Sequence, residues 1–284
     1  MIRLGRRLPW IVTVALVVGL GISQLVLTVG DWHLRDAGAY WDAAMRLRDG
    51  EPLYPPLRES EASEVYRYAP WFAYAWIPFT HLPREVANVL WSAVLIGSSL
   101  AALVPLARSK AWLLVALFAP ILIGISAIGN VQPLIIAALV LGVERRSGPL
   151  WIALAASLKV VPLLLALTYL GRGEWRKAIL TGFLTVALVA PMILFDLSNY
   201  PTDAGAAAGL IAAPVLYAIA VAAAILVSLR LARTRYAWLA SSAAAALAVP
   251  RLFVYDITFL MVAIPDGGDP ERKATAPRED GATT

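Results

Sequence analysis

Cysteine is absent from the 284-residue chain, which excludes disulfides, thiolate catalysis and Cys-based metal sites and leaves the redox compartment open. Charge is also scarce. Only 15% of the residues are Asp, Glu, Lys or Arg, and 60% are apolar, against the roughly 25% charged usage of soluble domains. This balance excludes a soluble globular protein and makes lipid the solvent for most of the chain. Alternating ten-residue segments are missing too, which excludes a membrane barrel, so the spans are helices whose backbone groups are satisfied within each segment. No basic helix and no aromatic-interleaved patch is present. The excess of 24 Lys and Arg over 19 Asp and Glu therefore does not point to nucleic acid; the positive charge sits in short loops between apolar runs.

Those runs occupy 9–30, 86–107, 111–128, 178–195 and 207–229. Each is long enough, at about 1.5 Å per helical residue, to cross most or all of a hydrocarbon core of roughly 30 Å. The fold class is all-α, a polytopic membrane protein. The start of the chain, with Arg3, Arg6 and Arg7 before about twenty apolar residues, resembles a signal peptide, but the stretch is too long and no A-x-A site follows, so it reads as an uncleaved signal anchor.

Lys and Arg concentrate in short cytoplasmic loops, which lets each connector be assigned a side. Arg3/Arg6/Arg7, Arg108/Lys110, Arg145/Arg146, Arg172/Arg176/Lys177 and Arg230/Arg233/Arg235 fall inside. The 196–206 connector, with Asp196 and Asp203 and no Lys or Arg, falls outside, as does 31–85, which holds nine carboxylates against six arginines. Three regions do not fit simple crossings. Val131 to Val143 is short, roughly 20 Å of helix. Trp151 to Leu170 is interrupted by Lys159 and Pro162 between two basic loops, and 236–265 is interrupted by Pro250-Arg251. The last two read as re-entrant hairpins, and broken segments of this kind imply a cavity or burial against protein. The chain thus reads as one transmembrane domain over 1–265, followed by a disordered cytoplasmic tail over 266–284, rich in Pro, Gly, Thr and mixed charge. No internal repeat is evident.

In the outer segment, Ala37, Tyr40, Trp41 and Ala44 recur at i, i+3, i+4 and i+7, which predicts an amphipathic helix in the outer interface. Asp36 lies at its start. Tyr66-Arg67-Tyr68-Ala69-Pro70-Trp71-Phe72 leads into a second short juxtamembrane segment, 69–82, closed by His81 and Pro83.

The string Asp36-x3-Tyr40-x2-Ala43-Ala44-x5-Gly50-x3-Tyr54, then Tyr66-x-Tyr68-x-Pro70, resembles the first outer loop of the polyprenyl-phosphate-mannose-dependent mannosyltransferases of the DUF2029 group, glycosyltransferase family 87. Further echoes are Gly129-Asn130-Val131-Gln132, Leu158-Lys159-Val160-Val161-Pro162 and Tyr255-Asp256, and the resemblance runs from about 30 to 265. The family's usual Gly-Gln-x-Asn order is here Gly-Asn-x-Gln. The resemblance implies a GT-C fold and a transferase that moves a sugar, mannose or another, from a polyprenyl-phosphate donor to a lipid or glycan acceptor. The reaction would take place at the outer face of a bacterial cytoplasmic membrane, in a multi-pass protein with both termini inside. Its partners would be that donor and membrane lipids, and no nucleic acid. A reading of a different class stands beside it: a non-catalytic lipid-binding or transport membrane protein derived from the same family.

Under the transferase reading one outer carboxylate must take the acceptor proton. By the family match this is Asp36, with Asp31 the runner-up; on residue chemistry alone Asp36 reads rather as a group that caps or charges the first helical turn. The donor phosphodiester needs a cation, and Lys159 and Arg251 are the two basic residues inside apolar segments. Each reads either as a site residue or as a side chain snorkelling to the headgroups. Asn130 and Gln132 serve either sugar hydroxyls or local helix ends. Tyr66 and Tyr68 line the sugar path or belong to the aromatic belt. Asp256 is expected to pair with Arg251. The outer loop has no Asp-x-Asp pair, so no metal site of that type is supported and no cofactor is assigned; separated carboxylates such as Asp31 and Asp36 are left able to share a divalent cation.

Overall fold

The computed structural model describes residues 34–56, 65–200, 213–249 and 253–263. Among these residues there are helices and no strands, so the protein is an all-α membrane protein, as its composition predicts. The first helix, α1 (Arg35–Asp49), carries Asp36 in its first turn and Arg46 and Arg48 in its last, matching charge to the helix dipole at both ends. It stops where Gly50 turns left-handed (φ 75°) and its N–H returns to the carbonyls of Arg46 and Leu47. Helix α2 (Pro70–Trp76) opens on a proline, whose missing N–H costs nothing there, and runs into a 3₁₀ turn, Ile77–His81. The two juxtamembrane segments expected between the first spans are therefore present as helices.

Helix α3 (Arg84–Arg108) is 25 residues long, about 37 Å. It is followed by α4 (Trp112–Ala127) and α5 (Gln132–Gly142). Helix α6 (Gly148–Leu158) breaks at Lys159, and the chain resumes as a 3₁₀ turn, Val161–Leu165, and α7 (Ala166–Arg172). Helix α8 (Trp175–Val189) continues as a 3₁₀ turn to Leu194. Then come α9 (Pro214–Leu231), α10 (Ala237–Leu247) and a 3₁₀ segment, Val254–Ala263.

Three of these are long and apolar enough to cross a membrane: α3, the continuous Trp175–Leu194 helix and α9. On the last two, Ile179, Phe183, Val186, Val215, Leu216 and Ile219 lie exposed, as side chains facing lipid would. Of the five predicted crossings, 9–30 lies outside the described residues, and so does the beginning of 207–229. The run 111–128 forms a helix slightly shorter than the run itself. Its helix, α4, has sixteen residues, about 24 Å, because the left-handed Lys110 (φ 57°) ends the preceding turn and Gly129 (φ 80°) reverses the chain just after it. The 266–284 tail is outside the described residues.

The α6–α7 segment turns back on itself, and α10 packs against the Val254–Ala263 segment. At the base of the α6–α7 hairpin the Tyr169 hydroxyl donates to the Val143 carbonyl, 2.7 Å. Arg172 Nε donates to the carbonyl of Ala232 (2.9 Å) and Arg233 Nε to that of Gly171 (3.1 Å). The loops carrying Arg145/Arg146, Arg172/Arg176/Lys177 and Arg230/Arg233/Arg235 thus gather at one end of the bundle. The opposite end collects residues 34–56 and 65–82, the 195–200 connector, the α6–α7 tip and the start of the Val254–Ala263 segment. There Tyr54 packs edge-on against Phe195 and Tyr200, and the Tyr200 hydroxyl donates to the Arg67 carbonyl, 3.0 Å.

Candidate active site

At this loop end, three stretches far apart in sequence converge on Asp36. The first turn of α1 abuts the last turn of α4: the Asp36 N–H donates to the Ile128 carbonyl at 2.9 Å and the Leu34 N–H to that of Ala127 at 3.3 Å. Donors orphaned at one helix start are thereby satisfied by acceptors orphaned at another helix end. Gly129 makes the approach possible, since a Cβ there would lie 2.8 Å from Ala37 Cβ and 2.9 Å from the Ala37 nitrogen. No side chain caps α1, so Asp36 is not a cap.

Instead the Asp36 carboxylate accepts a hydrogen bond from the Asn130 side-chain amide. The amide has no freedom to turn, because its oxygen accepts the Gln132 N–H at 2.9 Å, which leaves the NH2 group facing Asp36. Asn130 therefore meets both a local helix start and the carboxylate. Burial pushes the Asp36 carboxyl above the ordinary aspartate value; the Asn130 bond and the positive charges of Lys159, Arg67 and Arg35 pull it part of the way back.

Around this carboxylate lies an aromatic wall. The Tyr40 ring is met edge-on by Tyr68, Phe72, Trp76 and Trp91, with centroids 5.0 to 6.0 Å away. Its hydroxyl accepts the Val131 N–H (3.3 Å) and donates to the Tyr68 hydroxyl (3.2 Å). Tyr66 is 2% exposed and its hydroxyl donates to the Ala69 carbonyl at 2.7 Å, which makes it packing rather than an interfacial belt residue. Tyr68 is half-buried, and its carbonyl accepts from Tyr54, 2.9 Å.

Lys159 occupies the tip of the α6–α7 hairpin. It does not snorkel: its ammonium lies 3.9 Å from an Asp256 oxygen and 4.4 Å from the centre of the Tyr255 ring. The cation described beside Asp256 is thus Lys159, from the other hairpin; Arg251, with which Asp256 is expected to pair, lies outside the described residues, as does Asp31. Gln132 is fully buried, its NH2 group donating to the Thr258 hydroxyl at 3.2 Å while its carbonyl oxygen has no partner among the described residues. It ties the second hairpin to the Asn130 turn. The indole of Trp71 donates to the Ser157 hydroxyl, 3.1 Å, holding the first hairpin against α2. Among the described residues no cluster of three or more His, Asp or Glu is placed to hold a metal ion.

Sequence reasoning missed Tyr40 as a polar participant, because its period placed it on the apolar face. It also missed Thr258, for which no local signal exists.

Residues 66–202 match the model of glycosyltransferase family 87. This match supports membership of glycosyltransferase family 87. The matched stretch contains Tyr66, Tyr68, Asn130, Gln132 and Lys159 and begins after Asp36. No curated protein and no solved structure matches the chain. The family makes it a glycosyltransferase, and its apolar helices make it a membrane-bound one.

Proposed function

We propose that this glycosyltransferase uses a polyprenyl-phosphate sugar as donor, with mannose the sugar that the family resemblance favours, and a hydroxyl of a lipid or glycan as acceptor. The convergence of Asp36, Asn130 and Lys159 at one end of the bundle carries this reading. A carboxylate and a cation close enough to act on each other's charge suit a reaction that takes a proton from one oxygen and releases a phosphate from the other side of the anomeric carbon. Asp36 accepts the acceptor's hydroxyl proton as the oxygen attacks that carbon. The bond between the carbon and the phosphate oxygen breaks, and the polyprenyl phosphate leaves with the electron pair, its negative charge met by Lys159.

The rise of the Asp36 carboxyl on burial suits a base, because proton acceptance improves as the pKa approaches the working pH. By the positive-inside rule the Arg-rich end faces the cytoplasm, so Asp36 works at the outer face of the cell membrane. No divalent cation is invoked.

The test is Asp36→Asn. An Asn at this position still presents an oxygen to the Asn130 amide, so the variant should be inserted and as thermally stable in detergent as the parent. It should lose at least about 10²-fold in transfer of radiolabelled sugar at saturating donor. Transfer at the parental rate would remove Asp36 from the chemistry and favour the lipid-binding reading.

A further inference from the structure

Asp256 is a second buried carboxylate that the proposed reaction does not use. It is 2% exposed, and one oxygen is fixed by the Phe253 N–H at 2.9 Å. Its segment is anchored in turn by Thr258, whose hydroxyl donates to the Tyr255 carbonyl (2.5 Å) and accepts from Gln132. Stacking of Tyr255 on Phe253 (5.1 Å, 11° between planes) adds a further constraint. The other Asp256 oxygen faces Lys159 at 3.9 Å.

That geometry is a held but unsaturated pair. An ammonium has three donors, and here one carboxylate oxygen approaches it from one side and an aromatic face from another, while the side chain keeps 20% of its surface exposed. Lys159 has directions left for another anion. Asp36 is the other carboxylate whose charge acts on it. A cation taken from its counter-ion at membrane depth seeks another negative charge close by, and for Lys159, among the described residues, that charge is Asp36.

We propose that Asp256 is a positioning residue which, through Tyr255 and the second hairpin, holds Lys159 beside Asp36 without letting it collapse onto it, so that the ammonium stays available to an anionic headgroup and Asp36 stays free of it. This rests on the reading of Lys159 as the phosphate partner. The second hairpin thus carries the counter-ion that keeps the base and the cation of the site apart.

The test uses the full chain in detergent and farnesyl phosphate as probe, with affinity read from ligand-dependent thermal stabilisation. The parent should bind. Asp256→Asn, which keeps the size of the side chain and an oxygen for the Phe253 N–H, should bind at least about tenfold more weakly, with Lys159 captured by Asp36. Adding Asp36→Asn to Asp256→Asn removes the captor and should restore affinity towards the parental value. A loss due to general damage to the fold would be deepened by the second substitution, not reversed. Parental affinity in Asp256→Asn, or a double variant no better than the single one, would overturn the proposal while leaving the transferase reading intact. A parent that does not bind farnesyl phosphate would overturn both the donor assignment and this proposal.

Discussion

Gly129→Ala perturbs the one close approach on which the candidate site depends. At φ 80° the residue is left-handed, which for an L-residue costs about 1–2 kcal/mol. The added Cβ would also lie 2.8 Å from Ala37 Cβ. Ordinary contact begins at 3.4 Å, so the first turn of α1 must retreat by 3.4 − 2.8 = 0.6 Å at the least. The neighbour is helix backbone and a Cβ rather than a flexible side chain, and overpacking of that kind costs a further 1–3 kcal/mol or so. The sum is about 2–5 kcal/mol, and the retreat separates Asp36 from Asn130 directly. Thermal unfolding in detergent and a sugar-transfer assay should fall together. Gly97→Ala in α3 is the control: a Cβ there meets nothing within 4 Å, and alanine within a helix gains roughly 0.5–1 kcal/mol over glycine. A Gly129→Ala protein as stable and as active as the Gly97→Ala control would refute the claim that this turn sets the distance between Asp36 and Asn130.

The remaining expectations are briefer. Lys159→Ala should raise the donor KM and lower kcat/KM in a folded protein, with partial recovery in Lys159→Arg; unchanged kinetics would separate Lys159 from the donor. The acid limb of the pH–rate profile should lie above the ordinary aspartate value of about 3.9, since Asp36 must be ionised to act, its carboxyl is raised by burial, and activity is lost as pH falls through that raised value. Asn130→Ala removes an interaction that lowers the carboxyl and should move the limb further up; a limb that stays put would mean another group sets it. Reporter fusions after Ser147 and after Gly173 should be cytoplasmic and one after Ser198 external, and opposite-side signals at Ser147 and Gly173 would break the α6–α7 hairpin.

How the chain turns was legible because the signals are local or strongly periodic. Gly50 ends α1, Pro70 starts α2, and Lys159 with Pro162 breaks a run whose two flanks are both basic; each acts within a few residues of itself. Helix length was less legible. The run 111–128 looks continuous by hydropathy, yet turns in the left-handed region at Lys110 and Gly129 confine its helix to sixteen residues. Lysine gives no warning of that conformation, whereas glycine does.

The site divides along a similar line. Asp36, Asn130 and Lys159 were recognisable one at a time, each from its type and its setting, but what each touches was not. Asp256 shows why. A sequence offers a buried carboxylate only its neighbours as partners, and Arg251 stands five positions away; Lys159 is 97 positions distant and reaches it because the α6–α7 tip meets the segment that follows α10. Asn130 makes the same point in reverse. Its helix-end reading was correct as far as local geometry goes, since its oxygen does accept the Gln132 N–H. That bond leaves the nitrogen pointing at whatever lies across the turn, and what lies there is Asp36, delivered by a helix 94 positions earlier. A local requirement and a long-range contact thus share one side chain, and the first fixes the orientation that the second uses.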